Sequence, residues 1–101
     1  MSHVTVLLVN ADQMGNFYFK QDPVNLTRHL LGLGKYESVC ELYIPQTGED
    51  ACEEMFDMTN NPGRQYEREK YYGRGRSVSV GDIVEVDGVN YLCANIGWVI
   101  V

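Results

Sequence analysis

Residues 75–101 read GRSVSVGDIVEVDGVNYLCANIGWVIV, and this stretch decides the fold. Apolar and polar residues alternate along it, and the dipeptide Asp87-Gly88 is typical of a two-residue hairpin turn. Gly81-Asp82 indicates a bulge or a tight turn before the hairpin. The stretch therefore predicts consecutive antiparallel strands that pair as a meander. These strands are 83–86, 89–93 and 97–101.

Four further elements are predicted upstream of this meander. Residues 4–9 (VTVLLV) are apolar on both faces, as in a central strand, and residues 38–44 form a second strand. A first helix begins at Asp22-Pro23, an N-cap acceptor followed by proline at the first helical position. A second helix runs from about Gly48 to Thr59, with Thr47 as its N-cap.

The predicted element order is β-α-β-α-β-β-β. This order indicates an α+β fold in which two helices lie on one side of a small mixed β-sheet that ends in an antiparallel β-meander. A length of 101 residues fits one domain, so we expect residues 1–101 to fold as a single unit.

Composition narrows the class of protein. With 45% hydrophobic and 22% charged residues, the chain is ordinary for a globular domain. No apolar run approaches the roughly 20 residues that span a bilayer, and the first residues lack the basic region and cleavage site of a signal peptide. We therefore expect no membrane partner and a location in the cytoplasm of a host cell. The three cysteines are widely spaced within apolar patterns, which predicts buried free thiols.

Charge is distributed unevenly along the chain. The net charge is −6, yet five of the eight basic residues fall within 62–76 together with only two acidic residues. An acidic body disfavours broad electrostatic binding to a phosphate backbone, although one local basic patch remains.

The second helix carries an acidic face, which is the first candidate site. Three of its carboxylates form an i, i+4 row and two lie beside that row. Acid/base catalysis would require one buried and one solvated carboxyl group. One alternative is a solvated surface, in which the acidic residues of the first turn interact favourably with the helix dipole. Another is a protein-binding surface that imitates the charge spacing of DNA. The residues are Glu49, Asp50, Glu53, Glu54 and Asp57.

The connection 64–76 (RQYEREKYYGRGR) is the second candidate site. Tyrosines interleaved with cations can stack on bases while the cations bind phosphates. The alternative interpretation, which the net negative charge favours, is that this loop docks on the acidic helix of the same domain. Its candidate nucleic-acid or partner contacts are Arg64, Arg68, Lys70, Tyr72, Arg74 and Arg76.

Ser77, Ser79 and Asp82 form the third candidate site, but they lack a base nearby in sequence. His3 and His29 would have to approach through folding. Alternating serines on the outward face of a strand are more typical of a structural role. We therefore predict no catalytic residues, no metal ligands and no cofactor.

The motif GRSVSVGDIV at 75–84, the segment NYLCANIGW at 90–98 and the preceding FDMTN at 56–60 together resemble the YodL-like domain family. The family signature usually has histidine where this chain has Arg76 and phenylalanine where it has Trp98. The resemblance covers the second half of the chain by motif and the first half only by element order. It implies an origin in phages, plasmids or conjugative elements and, more loosely, an anti-defence role, but no activity that can be transferred residue by residue.

Two functional hypotheses follow. The first is a non-enzymatic accessory protein of a phage or mobile element that binds a host protein through the acidic face. The alternative is a small nucleic-acid-binding module that uses the basic-aromatic loop, because the segment SVGDIVEVDGVNYL is similar to folds of the PUA and ASCH type. The edge strand 97–101 also suggests a homo-oligomer formed by pairing with another copy.

Overall fold

The computed structural model describes residues 1–19, 22–73 and 75–101. The strands are β1 (Ser2–Val9), β2 (Tyr36–Ile44), β3 (Ile83–Val86), β4 (Val89–Cys93) and β5 (Trp98–Ile100). The helices are α1 (Asn16–Phe19), α2 (Pro23–Gly32), α3 (Gly48–Asn60) and α4 (Gln65–Glu67). A 3₁₀ turn spans Ala11–Gln13, another (Pro62–Arg64) precedes α4, and a π-helical turn (Arg68–Tyr72) follows α4.

The five strands form one sheet in the order β2-β1-β3-β4-β5. The α+β class and the ending in consecutive strands are thereby confirmed. Every neighbouring pair is antiparallel, so the sheet is not mixed as the element order suggested. The reason is that β1 lies between β2 and β3, so these two strands, which run in the same direction, are never neighbours.

Helices cover both faces of the sheet rather than one. On one face Val4 and Val6 pack with Met55 of α3 in the larger of two buried clusters. On the other face Leu30 of α2 joins Val9 in the second cluster. The apolar run Leu7-Leu8-Val9 at the end of β1 has this cause, because a strand covered on both faces packs apolar side chains on both. The prediction that both helices lie on one side of the sheet was wrong, because α3 and α2 pack on opposite faces.

The two predicted helices begin where expected but differ in their caps. The Asp22 side chain accepts a hydrogen bond from the Asn25 N–H (3.1 Å), and Pro23 follows it, so the N-cap of α2 is confirmed. Thr47 is the N-cap residue of α3 but makes no side-chain hydrogen bond there. The helix depends instead on its buried stripe, which includes Cys52 and Met55 at 0% exposure.

The predicted hairpin between β3 and β4 is also present. Asp87 (φ 48°) and Gly88 (φ 84°) both adopt the left-handed conformation that a type I′ turn requires at its two central positions.

Residues 77–80, in contrast, are not part of the sheet. Side chains bind the backbone of this segment and replace a strand partner.

Candidate functional site

The acidic face of α3 divides into two parts. Glu49, Asp50 and Glu53 are exposed, and they occupy the first half of the helix. Glu54 and Asp57, in the second half, face the helical segment 62–72 and are bound by an arginine. The five residues predicted as one surface are therefore not equivalent. Glu54 and Asp57 belong to an ion-pair network, in which the Asp57 side chain is still 53% exposed, and the other three carboxylates are exposed outside that network.

Arg64 is the centre of that network. Its Nη1 lies 2.5 Å from Glu54 Oε1 and 2.9 Å from Asp57 Oδ2, and its Nη2 lies 2.6 Å from Glu67 Oε2. Second contacts to Glu54 (3.1 Å from Nη2) and Glu67 (3.1 Å from Nε) make both of these pairs bidentate. The hydrogen bonds to Glu54 and Glu67, with Asp57 adding to them, raise the pKa of the guanidinium, and the hydrogen bond from Arg64 lowers the pKa of Glu67. This contact matches the interpretation in which the basic loop docks on the acidic helix.

Arg68 binds backbone carbonyls instead of carboxylates. It donates to the carbonyl oxygens of Thr59 (3.3 Å), Gly73 (3.0 Å) and Gly75 (2.7 Å). Its guanidinium also lies over the ring of Tyr72, 5.2 Å from the centroid. Arg68 thus joins the end of α3 to the turn that follows the helical segment, and its donors serve the fold.

Arg76 and Asp82 form an ion pair at the end of β1, in which the carboxylate is fully buried and the arginine is half-buried. Arg76 Nη1 lies 2.5 Å from Asp82 Oδ2 and Nη2 lies 2.7 Å from Oδ1, and Nη2 also donates to the carbonyl oxygen of Val9 (2.7 Å). Asp82 has no solvent-exposed surface and accepts further hydrogen bonds from the N–H groups of Val9 (2.9 Å) and Ser79 (2.8 Å). This network explains the GRSVSVGD motif, because its charged residues attach the loop to the central strand.

The serines of that motif are structural in the same sense. Ser77 Oγ donates to the Thr59 carbonyl oxygen (2.5 Å), and the Val78 N–H donates to Thr59 Oγ1 (3.1 Å). The Asn60 side chain donates to the Val78 carbonyl oxygen (2.9 Å). Neither histidine approaches this segment, since His3 pairs with Glu41 on the sheet and His29 is an exposed residue of α2.

The remaining members of the basic loop differ in position. Tyr72 is buried, and its hydroxyl donates to the Arg76 carbonyl oxygen (2.6 Å). Lys70 is exposed and lies 5.2 Å from the centroid of the Tyr71 ring, and Tyr66 is 76% exposed. Arg74 lies outside the described residues. Within the described part of the loop, Lys70, Tyr66 and Tyr71 therefore present a cation and two rings to solvent.

A cleft of about 650 Å³ lies beside the Arg76–Asp82 pair, at the end of β1. Asn10, Glu37, Tyr72 and Arg76 are among its lining residues. Arg76 is already bound to Asp82, and the Tyr72 hydroxyl is bound to backbone, so these polar groups are used by the fold. The cleft therefore identifies no ligand.

The three cysteines are free and buried, as predicted. Burial raises the pKa of Cys40 to about 11 and, as the largest cause, raises the pKa values of Cys52 and Cys93 to about 12. Such thiols are poor nucleophiles near neutral pH. Within residues 1–19, 22–73 and 75–101, no group of three or more His, Cys, Asp or Glu side chains is arranged to hold a metal ion.

One contact was not predicted from the sequence and bears on the exposed acidic residues. Trp98 of β5 donates from Nε1 to Glu53 Oε1 (2.7 Å), and its ring packs edge-on against Phe56 with centroids 6.4 Å apart. The acidic face is thereby attached to the last strand of the sheet. The only signal in the sequence was the position of Trp98 at the start of the closing apolar run.

No family model, curated protein or solved structure matches this chain in the comparisons with known proteins. The resemblance to the YodL-like domain therefore stays a prediction that depends on the motif residues. None of the helices in the described part of the chain is both long and apolar enough to cross a membrane.

Proposed function

We propose that the chain is a non-enzymatic accessory protein of a phage or mobile element that binds a host protein through the exposed acidic residues of α3. The observation that carries this proposal is a difference between the basic and the acidic side chains in how far they are bound within the domain. Arg64, Arg68 and Arg76 are bound to groups of the protein itself, whereas Glu49, Asp50 and Glu53 face solvent. A surface of this kind favours a basic partner.

The charges around these residues also favour a basic partner. Six carboxylates belong to α3 and α4, namely Glu49, Asp50, Glu53, Glu54, Asp57 and Glu67, and Arg64 is the guanidinium bound to three of them. The formal charge of this set is −6 + 1 = −5. Complementary charge of this size increases the rate at which a basic partner binds and disfavours acidic partners such as nucleic acids.

The second proposal, a small nucleic-acid-binding module, depends on the exposed Lys70 with Tyr66 and Tyr71. These residues provide one cation and two rings, while Arg64, Arg68 and Arg76 have their donors in use within the protein. Nucleic-acid binding then requires either Arg74 or the opening of an existing ion pair. For this reason the acidic surface is the preferred site.

The test is affinity capture from bacterial lysate, with and without nuclease. A triple variant, Glu49→Gln with Asp50→Asn and Glu53→Gln, removes three charges and keeps an amide oxygen for the indole of Trp98. We expect a stoichiometric, nuclease-resistant protein partner that the triple variant loses. The matched control, Asp12→Asn with Glu37→Gln and Glu69→Gln, removes the same charge from exposed positions elsewhere and should retain the partner.

Two results would contradict this proposal. Equal capture by the triple variant and the control would show that the acidic residues of α3 do not bind the partner. Recovery of RNA or DNA that disappears in a Lys70→Ala variant would move the function to the basic-aromatic loop.

A further inference from the structure

The strand β5 lies at one edge of the sheet, and its backbone orientation identifies which groups are unpaired. The Val101 N–H donates to the Asn90 carbonyl oxygen and the Ala94 N–H to the Gly97 carbonyl oxygen, both at 3.0 Å. Because inward and outward residues alternate in an antiparallel pair, 97, 99 and 101 face β4. The N–H and C=O groups of Trp98 and Ile100 therefore point away from the sheet, and no bond within the described residues satisfies them.

The opposite edge of the sheet is protected and β5 is not. On β2 the register shifts opposite Val6 and Leu7, which places a bulge at Val39, and Glu37 and Glu41 are exposed. Bulges and charged side chains are the usual devices that prevent an edge strand from pairing with another chain. Residues 94–101 (ANIGWVIV) contain no charged side chain, and Ile96 and Ile100 are 94% and 61% exposed.

The unprotected edge is in contact with Glu53, one of the exposed carboxylates of α3. Trp98 and Ile100 are opposite Cys93 and Tyr91 and so project to the face that α3 covers. Glu53 reaches this edge through its hydrogen bond with the Trp98 indole. A strand added to β5 would therefore direct every second side chain toward the face that carries α3 and its carboxylates.

We propose that β5 accepts an extended, basic segment of a partner protein as a sixth strand, with the carboxylates of α3 selecting lysine or arginine at alternate positions of that segment. This inference rests on the proposed function and names its binding mode and the chemistry of the partner. Backbone hydrogen bonds to Trp98 and Ile100 hold the segment, and the charged pairs choose its sequence.

A second copy of this chain is a poorer occupant of the same edge. Pairing about a twofold axis at Val99 would match Trp98 of one copy with Ile100 of the other and place both α3 helices on one face of the joined sheet. The acidic surfaces of two molecules, each with net charge −6, would then lie side by side. Charge complementarity instead favours a basic segment.

The experiment selects binders of the intact chain from a displayed library of random peptides about ten residues long, the upper range of strand lengths. Two variants block the edge. Ile100→Pro removes an outward N–H without loss of a bond to β4, and Ile100→Lys places a positive charge beside the incoming strand. Leu33→Lys, at a position 56% exposed in the C-cap of α2, is the matched control for the added charge.

We expect selected peptides that alternate Lys or Arg with β-branched residues and that slow amide hydrogen exchange at Trp98 and Ile100. Both Ile100 variants should weaken binding by at least about tenfold, and Leu33→Lys should not. Recovery of no peptide above background would overturn the proposal, as would a dimer that Ile100→Pro dissociates. Peptides that lose binding in the Glu49→Gln/Asp50→Asn variant but not in the Ile100 variants would overturn strand addition while leaving the acidic surface as the binding site.

Discussion

Replacement of Arg76 by methionine tests how much its ion pair with the buried Asp82 carboxylate contributes to stability. Methionine keeps most of the apolar stem and removes the guanidinium. The change deletes two hydrogen bonds to a carboxylate with no exposed surface and one to the Val9 carbonyl oxygen. It also deletes two longer ones (3.3 Å), to the Ser77 carbonyl oxygen and to Ser79 Oγ. Removal of one partner of a buried ion pair costs about 3–5 kcal/mol, because the other charge stays buried.

Two features of the structure place the cost at the lower end of that range. Asp82 keeps its hydrogen bonds from the N–H groups of Val9 and Ser79, and the Arg76 side chain is 31% exposed, so water can replace part of the lost contact. We therefore expect a loss of about 3 kcal/mol in the free energy of unfolding. For a domain of this size that loss lowers Tm by roughly 10–20 °C.

Urea denaturation followed by circular dichroism measures the loss. Arg28→Met, at an exposed position on α2, is the matched control and should change the free energy of unfolding by less than about 0.5 kcal/mol. In an Asp82→Asn background, Arg76→Met should cost at least about 1 kcal/mol less, because no buried charge is left behind. A cost below about 1 kcal/mol in the native background, or no coupling with Asp82→Asn, would refute the reasoning.

Three further predictions concern other parts of the domain. Because the hydrogen bond from Arg64 depresses the pKa of Glu67, the contact stabilises the fold fully above the unfolded pKa of about 4.5. The difference in free energy of unfolding between the native chain and Glu67→Gln should therefore shrink as the pH falls below that value. A difference that does not change with pH would contradict the contact. Burial raises the pKa of Cys52 to about 12, so this thiol should resist iodoacetamide at about pH 8 until urea unfolds the chain. The free energy of unfolding should decline as the pH rises above about 9. Rapid labelling of Cys52 in the native chain would refute the burial of the thiol. Gly81→Ala should cost about 2–3 kcal/mol in urea denaturation, because φ is 97° and the new Cβ would lie 2.7 Å from an aromatic carbon, whereas Gly15→Ala meets nothing within 4 Å and should cost far less.

Several elements were predictable from the sequence because their signals are local. The Asp87-Gly88 turn requires two left-handed residues in succession, and the pair at Asp22-Pro23 combines a cap acceptor with a preset φ. In both cases the chemistry that forms the element lies within four residues. Tertiary packing was not needed to recognise them.

Residues 77–80 show where local signals fail. Their alternation is that of a strand, yet the side chains of Thr59 and Asn60, 19 and 18 positions before Val78, bind the backbone of Val78. The helical segment 62–72 was likewise not predicted. It packs against β2 and is joined to α3 by Arg64, and neither contact is visible as a periodicity.

By itself, the sequence determined the α+β class, the closing hairpin, the positions of the two main helices and the presence of one acidic helix face and one basic loop. Only the tertiary structure decided which of those charges remain available to a partner. Packing brought Arg64 to Glu54 and Arg76 to Asp82, left the carboxylates near the start of α3 exposed, and placed Glu53 in contact with the edge strand. The physical reason is that strong ion pairs and edge exposure depend on distances between elements far apart in the chain, whereas propensity and turn chemistry depend on neighbours.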